Sequence, residues 1–158
     1  MTTRLTLAGI IVGALAMPGL AQRPAGGDHA RPPGPELIAH RSIRQIHLLT
    51  QHGVQMMHRQ AAMCSRVIAH LLENDETERA AEVAERCIGG IDGVAERGGE
   101  VISRIAERAV TALTELEAPA ELIDAVQTAA QMGLASIEEQ RASSVQIVQD
   151  ALGGSPPE

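Results

Sequence analysis

The sequence predicts an all-α fold, an antiparallel bundle of three long helices over about residues 36–73, 76–117 and 119–152. Three observations predict it. There is no Phe, Trp or Tyr among the 158 residues, so Leu, Ile, Val, Met and Ala must form the core. Such side chains suit closely packed helices better than a sandwich or barrel. Apolar residues recur at alternating steps of three and four, and there is no Pro from residue 36 to 118; that spacing is helical. Finally, one turn at Glu73-Asn74-Asp75-Glu76 sets apolar against apolar when paired residue numbers sum to 151. Leu71 then meets Ala80, Ile68 meets Val83, Met57 meets Val94 and Ile46 meets Ile105. The same register pairs Cys64 with Cys87 and Gly53 with Gly98. A chain of this length is expected to form one domain with a substantial core.

The N-terminus reads as an export signal over residues 1–21. Arg4 supplies a positive start, Leu5 to Met17 is apolar, and Pro18-Gly19-Leu20-Ala21 offers a small-residue cleavage site. Retention of this segment as an anchor is the alternative, although Pro18 and the short apolar run argue against a full span. The expected location is periplasmic or extracellular. Residues 22–35 are rich in Pro and Gly and read as a linker, and residues 153–158 read as a disordered tail. The helical domain is 36–152. The net charge is −7, and loss of residues 1–21 removes only Arg4, giving −8. This acidity argues against nucleic acid as a partner.

The stripe of the first helix is Ile43, Ile46, Thr50, Gly53, Met57, Ala61, Cys64, Ile68 and Leu71. The second helix is expected to start with Asp75 as N-cap and Glu78 three residues on, the spacing of a capping box. Its stripe is Ala80, Val83, Cys87, Ile91, Val94, Gly98, Val101, Ile105, Ala109, Ala112 and Leu116. Gly89, Gly90, Gly93, Gly98 and Gly99 lie inside it, each costing roughly 1 kcal/mol against Ala. A break near Gly89–Gly93 would give a four-helix bundle. The continuous helix is preferred because the apolar phase does not slip there and the length matches the first helix. The third helix follows Ala118-Pro119. Its stripe of Leu122, Ile123, Val126, Ala130, Gly133, Leu134, Ile137, Val145, Val148 and Leu152 is interrupted by Gln140, Arg141 and Ser144. Together with Gln60 these form either a polar layer that fixes register or, more simply, a segment tilted outward.

Cys64 and Cys87 carry the clearest chemistry. Disulfides persist in exported proteins, the register places the two opposite each other, and small neighbours let the helices approach. A structural disulfide closing a loop of 24 residues would stabilise the fold by about 3 kcal/mol. A thiolate metal site is disfavoured, because positions one turn away hold only Gln60, Ala61, Val67, Ile68, Val83, Ala84, Gly90 and Ile91. Gly53 and Gly98 predict close contact between helices, with a small ligand pocket as the alternative.

No phosphate loop, HExxH, CxxCH or GxSxG motif is present, so catalysis is not expected. The glutamates of the second helix lie mostly off its stripe and read as a solvated face. Charge is segregated. Residues 37–72 hold four Arg, five His and no acid, whereas residues 73–117 hold twelve acids and five Arg. That basic strip either balances the acidic helices within the molecule or meets an acidic partner or membrane surface. His52, Met56, Met63 and His70 share one flank of the first helix. His52 and Met56, at i and i+4, form a candidate soft-metal pair, with copper the natural ion and Met132 the one methionine of the third helix. Protonation of the histidines would alternatively make this helix a pH-sensitive surface.

The general form is similar to small exported helical hairpins that act as envelope chaperones or metal-stress proteins. No motif specific to them is present: Leu49-Thr50-Gln51 lacks the LTxxQ spacing that marks one such group, since residue 53 is Gly. The reading is therefore an exported, non-catalytic bundle serving as a structural or protein-interaction module, whose partner is another protein or a second copy. The alternative is a periplasmic copper-type metal-binding or envelope-stress protein using His52 and Met56.

Overall fold

A computed structural model describes residues 34–154. It contains three helices: α1 (Pro35–Glu73), α2 (Thr77–Glu115) and α3 (Ala120–Leu152). Each packs against the other two, forming an antiparallel three-helix bundle. The expected export signal and most of the linker and tail fall outside the described residues. α1 and α2, at 39 residues each, are about 58 Å long. α2 runs unbroken through its glycines, so the four-helix alternative does not apply.

The α1–α2 turn differs from expectation. Asp75 does not cap α2; it ends α1 in the left-handed region at φ 60°. The Glu76 N–H donates to the Leu71 carbonyl at 2.9 Å and the Asp75 N–H to the Leu72 carbonyl at 3.1 Å, which is a Schellman closure. A connection this short needs one left-handed residue, and Asp is among the non-glycine residues that tolerate it. Glu76 then becomes the N-cap of α2, with no side-chain cap bond. Glu117, at φ 50°, closes α2 in the same way, with Ala118 donating to Leu113 at 3.0 Å.

The core is aliphatic throughout. Ile46, Met57, Ile68, Ile91, Ile102, Leu113, Val126 and Val148 are fully buried. The α1 stripe lies where its spacing places it. The α2 stripe is partly rotated: Ala80, Ile91 and Ala109 are buried as expected, but Ala84, Ala95, Ile102 and Leu113 are buried beside it, while Val101 and Leu116 are exposed. The hairpin register describes the line on α2 that faces α1. Because α2 also packs on α3, its innermost line lies between the two neighbours and is displaced by about one residue.

Glycines set how closely α3 approaches. A Cβ on Gly53 would stand 2.7 Å from Ile137 Cδ1, and one on Gly98 would stand 3.5 Å from the same atom. The two glycines of the register therefore make a niche for a side chain of α3. Gly133 of α3 lies equally close to α1, since a Cβ there would meet Thr50 Oγ1 at 2.7 Å and Ile46 Cγ2 at 3.2 Å. The polar interruption does not tilt α3 away. Ser144 is fully buried and accepts a hydrogen bond from Gln140 Nε2 at 3.1 Å.

Candidate functional site

α3 covers one long face of the α1–α2 hairpin. The opposite face carries a shallow open cleft of about 650 Å³ between α1 and α2, with no residue of α3 in its lining. Met56, Met63 and Cys64 come from α1, Val83 and Cys87 from α2, and Arg59 and Arg86 stand at its rim. The reason lies in helical periodicity. Met56 and Met63 are one heptad apart, beside the buried stripe rather than on it. They remain 45% and 60% exposed, whereas Met57, one residue away, is fully buried. Val67 extends the apolar edge by another turn and is also exposed.

The cleft floor is rigid. Cys64 and Cys87 form a disulfide across it, with their Cα atoms 6.2 Å apart, and no free cysteine remains. This is the pair the register brings together. Beside it Gln60 lies over Gly90, where a side chain of any size would collide with its amide, and Gln60 Nε2 donates to the Cys87 carbonyl at 3.4 Å. Disulfide and amide thus tie the same turn of α2 to α1. The methionine side chains above are unbranched and flexible, a combination that adapts to different apolar shapes.

Both walls of the cleft carry charge, Arg59 on α1 and Arg86 on α2. Among the described residues the ion pairs lie within single helices or between α2 and α3, and none joins α1 to either neighbour. Among the described residues the four arginines of α1 have no carboxylate partner, while Arg86 leans on Glu82 at 3.6 Å. α1 thus lies against both acidic neighbours, balancing their charge by proximity and without an ion pair to either among the described residues. The contrast is Arg141 on α3. It pairs with Glu138 at 2.6 Å and with Asp92 of α2 at 2.9 Å. Hydrogen bonding from Arg141 holds the Glu138 carboxyl below the usual carboxylate range, and the same bonds push the Arg141 guanidinium further up.

His52 and Met56 both lie on the exposed surface of α1, and Met132 is 64% exposed on α3. Among the described residues no three or more His, Cys, Asp or Glu side chains gather; His52 and Met56, one helix turn apart, supply two ligands. No described helix is long and apolar enough to cross a membrane.

The sequence offers Met56 as a ligand candidate beside His52, with Met63 on the same flank, and does not announce the cleft that the two methionines line. Two signals point to it: Met56, Met63 and Val67 form a second apolar edge beside the core stripe, and the whole of 37–72 lacks an acid. No protein family, characterised protein or solved structure matches the chain.

Proposed function

We propose that this protein is an exported, non-catalytic interaction module that receives an apolar segment of a partner protein in the α1–α2 cleft. The observation that carries this is the uncovered methionine-lined face over a disulfide-tied floor. The cleft is open along its length, so it suits a chain segment rather than an enclosed small molecule. Helix-in-groove recognition uses such a surface, with anchors from one apolar stripe entering between two helices. The disulfide gives the groove a fixed width, and the thioethers above it accommodate the incoming side chains. The unpaired basic side chains of α1 support a polypeptide partner that carries acids.

Methyl-selective NMR of the methionines tests the proposal. The probe is a synthetic amphipathic helical peptide with leucines on one face and glutamates beside them. The expected result is saturable shifts of the Met56 and Met63 methyls, with the Met132 methyl unmoved. Met132 is at least as exposed and reports indiscriminate hydrophobic contact. Equal shifts at all three methyls, or none at any concentration reached, would remove the proposal.

A further inference from the structure

The charge around the cleft says more about the occupant than its apolar floor does. Arg41, Arg44, Arg59 and Arg66 are spread along α1 with no acid between residues 37 and 72. None of them pairs with a carboxylate among the described residues, although α2 and α3 are strongly acidic. On the wall of the cleft Met56 and Met63 run beside Arg59, and the exposed Val67 and Arg66 continue the two lines along α1 past its lining. A basic line and an apolar line are thus parallel over about two helical turns.

We infer that the occupant is an acidic amphipathic helix, docked lengthwise on the α1–α2 hairpin as a fourth helix opposite α3. This rests on the interaction-module reading above and names the chemistry of its partner. An apolar stripe of about two turns would fill the cleft, and Glu or Asp beside that stripe would face Arg59 and, just past the cleft, Arg66. Such charges steer encounter and fix the direction in which the helix lies, while the apolar anchors hold it. A partner with basic flanks would face unpaired arginines across a partly desolvated edge, and that repulsion sets selectivity.

The test uses three peptides with the same leucine stripe, flanked by Glu, Gln or Lys, and measures binding to the disulfide-intact protein by fluorescence anisotropy. At low salt the Glu peptide should bind about tenfold or more tighter than the Lys peptide, with the gap narrowing as salt rises. The doubly reversed variant R59E/R66E should invert that order, and its binding of the Lys peptide also shows that it is folded. Equal binding of all three peptides, with Met56 and Met63 still responding, would overturn the acidic preference and leave the interaction module standing. Failure of every peptide would overturn both. If vesicles of anionic lipid bind the protein while the Glu peptide does not, the face is a membrane-docking surface and the proposal is wrong. A concentration-dependent dimer abolished by R59E/R66E, with no peptide binding, would likewise replace the partner helix by a second copy.

Discussion

The two long faces of the α1–α2 hairpin begin from similar apolar residues and end differently. On the face that α3 covers, Gly53 and Gly98 open a niche that Ile137 fills, and Gly133 of α3 sits against Thr50 and Ile46. On the opposite face Met56 and Met63 project and no residue of α3 lines the cleft. A permanently covered face is shaped by removing side chains so that a branched neighbour fits one way. The uncovered face keeps long flexible side chains and unpaired arginines. The difference separates residues that hold the fold from residues available for binding, and substitutions on each side should behave accordingly.

The largest expected effect lies on the boundary between the two faces. Removing the Cys64–Cys87 link by C64A/C87A should cost about 3 kcal/mol of stability by releasing the 23-residue separation it closes. It should also loosen the cleft floor. Urea denaturation of the oxidised protein and the variant measures this, and coincident transitions would show that the link is not structural.

Next comes the covered face. Gly133→Leu should destabilise by about 1–3 kcal/mol, because Ile46, Thr50 and Ile102 surround the position and overpacking has no outlet. An unchanged denaturation midpoint would mean that α3 is not seated as described. In the opposite direction, Gly89→Ala should stabilise by about 0.5–1 kcal/mol, since its added methyl group meets nothing within 4 Å while helix propensity improves. A loss of stability at Gly89 would show that the site is occupied.

Much of this contrast was legible in the sequence. One turn position and two apolar stripes were enough to fix the hairpin register, and the register alone brought Cys64 to Cys87. What escaped was the direction from which α3 approaches. Pairing two helices constrains only the line each shows the other, so the inner line of α2 shifted from Val101 and Leu116 to Ile102 and Leu113. Ser144 escaped for a related reason. A polar residue in a stripe reads as a tilt unless its partner, Gln140 one turn earlier, is recognised as satisfying it. Asp75 was placed in the right turn and given the wrong role, because capping-box spacing and a Schellman closure compete for the same residue.

The smallest predicted effect is electrostatic and lies between α2 and α3. Glu138 is held below its ordinary range by Arg141, so the pair contributes stability above the unfolded carboxyl range and loses it as pH falls through the lowered folded value. Both groups are on the surface, so the contribution is small and should fade with salt. Glu138→Gln should flatten the acid limb of stability against pH slightly, and an unaltered limb would show that the pair adds nothing.

The most direct measurement follows stability and peptide binding in one variant, M56Q/M63Q. Both side chains are exposed, so the account predicts a stability within about 0.5 kcal/mol of the parent, together with at least about a tenfold loss of affinity for the Glu-flanked peptide, as expected when central apolar anchors are lost. A variant that melts early yet binds the peptide undiminished would contradict it, because the methionines would then belong to the fold and not to the binding face.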